Sequence, residues 1–355
     1  MLAAILIYTG PVGAVGVSAH SAVLLDGDSG QVLWEKNADE KSLIASTTKI
    51  MTALVVLEQA ELSDVVEVAP EAVGVEGSSM YLKAGEQLTV EDLLYGLMRS
   101  SGNDAAVALA IHVAGSCDAF AELMNEKAQA LGLQTTHFAN PNGLDSEENY
   151  ATARSLGKLA VAAMENEGFR TIVSTKTYSC AGHTMTNHNK LLWQYEGAVG
   201  VNTGFTKHAG RILVGSAEKN GRRLVSVTIN APSDWNDHKQ MLDYGFSCYS
   251  QQTLVSAGDT VGQMPVISGL AEQVPLVADC AVTWDMLPGE TPELRLETDP
   301  FVYAPVAQGT QLGTLEVYVG QRLVGTAPVT AGESVAQLPP EEPGFWEKLL
   351  DKLPG

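Results

Sequence analysis

The sequence predicts an α+β domain, with an antiparallel sheet flanked by helices, followed by a small all-β domain. Helical patterns and hairpin signals alternate until about residue 250, where helical periodicity ends. Short Val, Leu and Thr runs then alternate with Gly and Pro turns through about residue 338. The length of 355 residues fits two domains at about 150 residues each. A hydrophobic fraction of 45% with 18% charged residues indicates globular domains rather than disorder.

Two hairpins are predicted in the first domain. Apolar runs at 22–25 and 32–34 flank a turn rich in Gly and Asp. Runs at 211–217 and 222–230 flank Asn220-Gly221, and Asn-Gly between apolar runs is the strongest short-range hairpin signal. Both pairs are therefore expected to belong to the antiparallel sheet.

Four helices are predicted from apolar residues at helical spacing. They cover residues 47–57, 90–98, 104–113 and 118–131, and Gly132 ends the last one. Expected strands of the all-β domain include residues 273–277, 294–297, 313–319 and 322–329. The predicted boundary lies near Ser250, with the first domain at 20–250 and the second at 251–338.

The two ends of the chain carry separate predictions. Residues 2–17 are apolar or small and uncharged, and Val17-Ser18-Ala19 ends in a small-x-small pattern. This predicts a signal peptide over 1–19, cleaved after Ala19, and an exported protein; a buried strand or helix is the alternative. Residues 339–355 form a linker and an amphipathic tail, which either lies in a membrane interface or packs on the all-β domain. No later apolar stretch is long enough to predict an internal membrane span.

The net charge argues against nucleic-acid binding, and the spacing of the cysteines and histidines argues against a metal site. The chain has 42 acidic and 21 basic side chains, a net charge of -21, which repels nucleic-acid phosphates. The four cysteines have no metal-ligand spacing, and buried free thiols are expected. His183 and His188 are the only histidines with a conceivable ligand spacing, and a solvated loop is favoured there. No metal and no organic cofactor is implied.

A nucleophile motif, S-x-x-K, occurs three times. On a helix this spacing places a hydroxyl and an amine on one face, and a neutral amine can take the proton of the hydroxyl. Ser216/Lys219 runs into a hairpin turn, and Ser155/Lys158 has no partner motif positioned after it. Ser46/Lys49 opens a helix, whose N-terminal field lowers the pKa of a lysine there. The alternative for Ser46 is a simple N-cap.

Two further motifs follow Ser46/Lys49 along the chain. Ser101-Gly102-Asn103 lies between two predicted helices, where a hydroxyl and an amide can face a cleft; capping by Asn103 or Asp104 is the alternative. Thr203-Gly204 lies in a predicted strand, where a glycine lets a substrate approach the strand edge or forms a bulge. The ordered set S-x-x-K, S-x-N and T-G is much rarer than any one motif.

This ordered set resembles the penicillin-recognising serine enzymes, which share S-x-x-K, S-x-N and K-T-G. The surrounding residues resemble one branch of them, the low-molecular-weight penicillin-binding proteins of peptidase family S11, which are serine-type D-alanyl-D-alanine carboxypeptidases. The resemblance covers about residues 20–250 and implies a penicillin-binding, β-lactamase-like transpeptidase fold. The matching stretches are 44–53, 99–106, 140–144, 200–206, 209–211 and 242–246.

The resemblance implies a role for each motif residue. Ser46 attacks the carbonyl between two D-alanines, Lys49 is its general base, and Ser101 relays the proton to the leaving D-alanine. Asn103, Thr203 and the position of Asn202 contact the substrate, and Thr203 binds its carboxylate. The strand residues Gly204 and Phe205 border the substrate, and the backbone N–H groups of Ser46 and Phe205 form the oxyanion hole. Peptidoglycan stem peptides are the implied substrates, and β-lactam antibiotics are the implied covalent inhibitors.

One departure concerns the charge of the substrate site. The family has Lys where this chain has Asn202, and losing a charge-assisted contact costs about 1.5–3 kcal/mol. A carboxylate-binding arginine of part of the family has no clear counterpart near residues 234–239. Lys207 or His208 are the substitutes that the sequence suggests.

Three functions therefore stay open from the sequence. The first is an active carboxypeptidase, and the second is a binding homologue of the same fold that is impaired by Asn202. The third is a β-lactamase, which needs a carboxylate to activate its deacylating water. Glu147 and Glu148, next to Asn149, are the candidates for that role, but this stretch resembles a carboxypeptidase loop.

Overall fold

The computed structural model describes residues 15–339. The chain divides between Cys248 and Tyr249 into two compact units, two residues before the expected position at Ser250. The predicted linker and tail, and residues 1–14 of the predicted signal peptide, lie outside the described residues.

The first unit mixes strands and helices, as predicted. In chain order its strands are β1 (Ser21–Asp26), β2 (Val32–Lys36), β3 (Ser42–Leu43), β4 (Val65–Glu67), β5 (Gln87–Thr89), β6 (Tyr150–Ala151), β7 (Thr177–Cys180), β8 (His183–Thr186), β9 (Ala198–Thr206), β10 (Gly210–Lys219) and β11 (Arg222–Ile229). Its α-helices are α1 (Lys49–Gln59), α2 (Val90–Arg99), α3 (Asn103–Ala114), α4 (Cys117–Ala130), α5 (Ala153–Glu165), α6 (Glu167–Ser174), α7 (Leu191–Gln194) and α8 (Asp234–Ser247). Two 3₁₀ helices cover Ala45–Thr48 and Pro70–Ala72.

Both predicted hairpins are confirmed and form most of the main sheet. This sheet has five strands in the order β2-β1-β11-β10-β9, and its neighbouring strands are antiparallel. Within residues 15–339, strand β9 pairs only with β10 and is therefore an edge strand. Since an edge strand leaves one row of backbone groups unpaired, it can border a cleft.

The four predicted helices are confirmed and build the core on which the motifs rest. Helix α2 begins with a capping box in which Thr89 and Asp92 satisfy each other's backbone N–H groups. Ile50, Leu93 and Leu109, from α1, α2 and α3, are fully buried in one apolar cluster. Each such side chain contributes about 1.5–3 kcal/mol by leaving water.

The second unit is all-β, as predicted. Its strands are β12 (Ser250–Val255), β13 (Thr260–Ile267), β14 (Gln273–Ala278), β15 (Val282–Met286), β16 (Pro292–Thr298), β17 (Val302–Tyr303), β18 (Gln311–Val319) and β19 (Arg322–Ala331). Six of them form one sheet in the order β16-β18-β19-β14-β13-β17. The unit has its own apolar core, which includes Val274, Leu315 and Val329.

The residues before β1 are attached to the first unit. The backbone N–H groups of Ser18 and Ala19 donate to the carboxylate of Asp237, at 2.9 and 3.1 Å, and the Ser18 hydroxyl donates to it at 2.7 Å. Asp237 is buried on α8. Cleavage after Ala19 stays a prediction, and it would remove these donors from a buried carboxylate.

Cysteine burial differs from the prediction. All four thiols are free, but Cys117, Cys180 and Cys248 are only partly buried and Cys280 is exposed. Over residues 15–339, no single helix has the length and apolar composition needed to cross a membrane; the bent pair α3 and α4 passes that test only when joined.

Candidate active site

A cleft of about 360 Å³ lies beside the edge strand β9. Ser46, Ser101, Thr203, Gly204 and Phe205 line it, so the structure brings five of the eight predicted site residues together. The other three, Lys49, Asn103 and Asn202, are buried behind this surface. Its remaining lining residues are Ser78, His188, Lys190, Arg211, Ile212, Asp234 and Trp235.

Ser46 lies in the 3₁₀ helix that leads directly into α1. Neither helix has a side-chain N-cap, so the alternative of Ser46 as a simple cap is wrong. Lys49 is the first residue of α1, and its Nζ lies 3.1 Å from Ser46 Oγ. The preceding residue, Ala45, has a φ of 45°, in the left-handed region that non-glycine residues rarely adopt. The 3₁₀ turn therefore holds the hydroxyl against the amine.

The other two S-x-x-K pairs serve the fold. Ser155 Oγ accepts a hydrogen bond from the hydroxyl of the N-cap Thr152, while Lys158 is exposed. Ser216 Oγ donates to Leu224 O within the sheet. Of the three motifs, only Ser46/Lys49 has its hydroxyl in the cleft.

Lys49 is completely buried and has three acceptors within hydrogen-bond distance. Nζ lies 2.7 Å from Asn103 Oδ1 and 2.5 Å from Asn142 O, in addition to Ser46 Oγ. Burial lowers the pKa of Lys49 to about 7, while the charge of Asp104 acts in the opposite direction. The sequence attributed the low pKa to the field at the helix N-terminus, but loss of hydration is its main cause.

The loop at 140–144 reaches the lysine because a glycine permits a close approach. Gly143 has a φ of 83°, and a Cβ at this position would lie 2.0 Å from Ala45 O. Thr52 Oγ1 donates to Pro141 O at 2.6 Å and fastens the loop to α1. The acceptor Asn142 O is thereby held at a fixed position beside Lys49.

Ser101 lies in the turn between α2 and α3 and has a φ of 53°. Such strained backbone costs about 1–3 kcal/mol, and strained residues cluster at functional sites. Asn103 is fixed at both ends of its amide, since Oδ1 accepts from Lys49 and Nδ2 donates to Glu76 O at 2.6 Å. Capping by Asn103 or Asp104 is wrong, because α3 has no side-chain cap.

The strand β9 approaches Ser46 at a glycine. A Cβ on Gly204 would lie 3.2 Å from Ile44 O and 3.3 Å from Ser46 N. The pairing of β9 with β10 is regular here, so this glycine permits close approach and forms no bulge. The backbone of β9 therefore lies beside the Ser46 N–H group, which is one of the expected oxyanion donors.

Asn202 does not line the cleft. It is 3% exposed, its Oδ1 accepts from Thr203 N at 2.6 Å, and its Nδ2 points to Met98 Sδ at 3.6 Å. Both ends of the amide are directed at backbone and core. Asn202 therefore contributes neither a charge nor a free polar group to the cleft.

The cations of the cleft are two residues to which the sequence assigned no role, although Arg211 lies in the matching stretch 209–211. Arg211 and Lys190 line it, whereas the suggested substitutes Lys207 and His208 do not line it within the described chain. His208 instead pairs with Asp145 at 3.0 Å. The alternation of exposed residues across the β9–β10 hairpin could have identified Arg211, since it lies opposite Phe205.

Two other predictions from the sequence are also affected. His183 lies in β8 and pairs with Glu86 at 3.0 Å, so the predicted solvated loop is wrong for it, whereas His188 is exposed and lines the cleft, where loss of hydration lowers its pKa. Glu147 and Glu148 are exposed and do not line the cleft. Among residues 15–339, no three His, Cys, Asp or Glu side chains form a group that could hold a metal ion.

Comparison with known proteins agrees with this geometry. Residues 10–233 match the peptidase S11 family, described as D-alanyl-D-alanine carboxypeptidase, and residues 249–337 match the C-terminal domain of penicillin-binding protein 5. The chain is 35% identical to the D-alanyl-D-alanine carboxypeptidase DacC of Escherichia coli K12, covering 96% of this chain and 88% of that protein. It is 33% identical to DacF of Bacillus subtilis, covering 89% and 86%. The crystal structure of penicillin-binding protein 5 from Haemophilus influenzae has a TM-score of 0.64 at 30% identity, covering 91% of this chain and 98% of that one.

Proposed function

Because the chain belongs to the S11 family of D-alanyl-D-alanine carboxypeptidases, we propose that it removes the terminal D-alanine of peptidoglycan stem peptides through an acyl-enzyme on Ser46. The observation that carries this proposal is the buried Lys49, whose Nζ lies 3.1 Å from Ser46 Oγ and whose pKa is lowered to about 7. At neutral pH about half of this amine is uncharged and able to accept a proton.

The hydrogen bonds of Lys49 direct that proton transfer. A neutral amine has two N–H donors and one lone pair, and Asn103 Oδ1 and Asn142 O are both acceptors. When the two N–H groups donate to them, the lone pair faces the Ser46 hydroxyl. The hydroxyl proton passes to Lys49 Nζ as Ser46 Oγ bonds to the carbonyl carbon between the two D-alanines.

The leaving group and the second half-reaction use the rest of the cleft. Ser101 relays a proton to the amine of the terminal D-alanine, the C–N bond breaks, and an ester on Ser46 remains. The backbone N–H groups of Ser46 and Phe205 stabilise the oxyanion, a contribution typically of about 3–4 kcal/mol per donor. Water then cleaves the ester, giving the shortened peptide and the free Ser46 hydroxyl.

Covalent labelling and product release test this function together. We expect a fluorescent penicillin to label the wild-type chain on Ser46, and a peptide ending in D-Ala-D-Ala to yield free D-alanine. Penicillin opens its lactam ring on the same nucleophile and is therefore a probe of acylation alone. Labelling that survives in Ser46→Ala would show that the nucleophile is another residue.

An impaired binding homologue is the second candidate, because Asn202 brings no charge to the cleft. This candidate predicts labelling by penicillin without measurable release of D-alanine. Comparing D-alanine release by wild type and Asn202→Lys separates the two. Turnover in the Lys variant alone would refute an active wild-type enzyme, whereas turnover in both supports it. A β-lactamase is disfavoured, since Glu147 and Glu148 are exposed outside the cleft.

The proposed place of action is the extracytoplasmic face of the membrane or the cell wall. The apolar segment at 2–17 and the chemistry of the substrate support export. The apolar stripe of the tail supports contact with the membrane surface. Liposome co-sedimentation of the full chain against a chain ending at Leu338 tests the contact, and equal sedimentation refutes it.

A further inference from the structure

The second unit has one long strand with an unpaired edge. Its six-stranded sheet ends in β16 on one side and in β17 on the other. Strand β17 has two residues, whereas β16 has seven, and all seven are exposed. Within residues 15–339, β16 pairs with β18 alone, so one row of its backbone N–H and C=O groups has no strand beside it.

The backbone of β16 is regular enough to pair with a further strand. Edge strands are commonly protected by shortness, by a bulge, by an interrupting proline or by a covering segment. The pairing of β16 with β18 keeps one register over all seven residues, and Pro292 occupies the first position, where it interrupts nothing. The free edge of β16 is therefore an available pairing site.

The apolar face of β16 extends past the core of the unit. Leu294 and Leu296 lie opposite Val317 and Leu315 of β18, and both β18 residues are fully buried. Directly opposed residues of an antiparallel pair share one face of the sheet, so the two β16 leucines lie on the core face. They are nevertheless 47% and 38% exposed. A further strand beside β16 would bury them.

The opposite face of β16 carries charges of both signs. Arg295 and Arg322 are the only basic residues between positions 249 and 339, so positive charge is scarce in this unit. Arg295 Nε donates to Glu293 Oε1 at 2.8 Å, and its guanidinium lies 4.2 Å from the centre of the Tyr318 ring. These contacts hold a cation and an anion side by side on the polar face, next to the free edge.

The alternation along β16 is complementary to itself. Two copies can pair antiparallel around a twofold axis through Leu294, and each Arg295 then lies opposite Glu293 of the other copy. Opposite charges on directly opposed residues stabilise a strand pair, and like charges destabilise it. An axis through Leu296 would add a pair of like charges, Glu293 opposite Asp299, so the first register is favoured.

We propose that the second unit forms a homodimer in which β16 pairs antiparallel with β16 of a second copy of this chain. The pairing joins two six-stranded sheets, satisfies the open backbone row and covers Leu294 and Leu296. A second copy fits this edge because it presents the complementary charges and the apolar pair in the same register. One pair of strands buries little area compared with a standard interface, so the dimer is weak and depends on concentration.

Sedimentation equilibrium of the full chain tests the proposal over concentrations from about 1 µM to about 1 mM, the range of weak interfaces. We expect the wild type to shift from monomer to dimer within this range. Arg295→Glu and Glu293→Arg each put like charges opposite each other twice, and each should weaken dimerisation roughly tenfold. Combining both substitutions in one chain exchanges the two charges and should restore the wild-type association.

The control is a charge reversal away from this edge. Lys207→Glu makes the same charge change as Arg295→Glu at an exposed residue of the first unit, and it should leave association unchanged. Thermal melting by circular dichroism checks that each variant is folded. Folded single variants that dimerise as the wild type does, or a folded double variant that stays weakened, overturn the proposal. A wild-type chain that remains monomeric up to about 1 mM overturns it as well.

Discussion

The two walls of the cleft differ in how far they keep the family's residues. The helical wall carries Ser46, Lys49 and Ser101, each at its motif position, and Lys49 is enclosed by three acceptors. The strand wall keeps Thr203 and Gly204 but has a neutral, inward-facing Asn202 where the family has lysine.

The two walls depend on interactions of different range, since the helical wall transfers a proton and the strand wall attracts a carboxylate. Proton transfer requires heavy atoms within about 2.6–3.2 Å of each other, so its residues cannot move to another element. Attraction between a cation and a carboxylate falls off slowly with distance, and a long side chain can supply it from a neighbouring strand. The helical wall is therefore constrained residue by residue, whereas the strand wall is constrained in its charge.

The largest expected effect concerns the nucleophile. Ser46→Ala should lower acylation by penicillin by at least about 10³-fold, because Ser46 is the one hydroxyl within hydrogen-bond distance of Lys49 Nζ among residues 15–339. Stopped-flow or gel-based labelling measures it. Ser78→Ala, which changes another hydroxyl residue of the same cleft, is the matched control and should stay near wild type. Equal losses in the two variants would contradict the assignment.

The second largest effect is expected when the general base Lys49 is removed. Lys49→Met should lower kcat/KM at pH 7 by about 10²- to 10⁴-fold. The wild-type rate should fall tenfold per unit as pH drops below about 7, because Lys49 is then protonated. Lys158→Met is the control, since Lys158 is the exposed lysine of another S-x-x-K. A wild-type rate that stays constant from pH 5 to 7 would exclude Lys49 as the base.

A smaller effect is expected from charge beside the base. Asn103→Asp places a carboxylate where Oδ1 now lies 2.7 Å from Lys49 Nζ. This should raise the pKa of Lys49, move the acidic limb of the rate profile to higher pH, and lower the rate at pH 7 roughly 10- to 100-fold. Asn125→Asp controls for folding damage, because Asn125 is also hydrogen-bonded at both ends of its amide. A rate loss without movement of the limb would contradict the electrostatic cause.

The smallest expected effect is on the strand wall. Asn202→Lys should raise D-alanine release by less than about tenfold when Arg211 is present, since the cleft already has a cation. In the Arg211→Leu background the same change should give a larger gain, and Asn202→Met should give none in either. Equal gains in both backgrounds would show that the two positions act independently.

Local features of the site were predictable from the sequence, and long-range ones were not. The helix after Ser46 and the hairpin at Asn220-Gly221 follow from periodicity and turn chemistry within a few residues. The contacts of Lys49 join residues 54 and 93 positions apart, and only the fold brings them together. Arg211 lies in a matching stretch, but its place in the cleft was missed because that place depends on strand register and on the distant Asp234.

The burial of Lys49 also affects the folding stability of the chain. In the unfolded chain a lysine stays protonated to about pH 10.4, whereas in the folded chain the pKa of Lys49 is about 7. Between these values the unfolded state binds more protons, so the free energy of unfolding should rise with pH across this range. Lys49→Met removes this dependence, so the unfolding free energy of the variant relative to wild type should be a few kcal/mol higher at pH 7 than at pH 10. The amine that enables catalysis thus makes the chain less stable at the pH where the enzyme works than at pH 10.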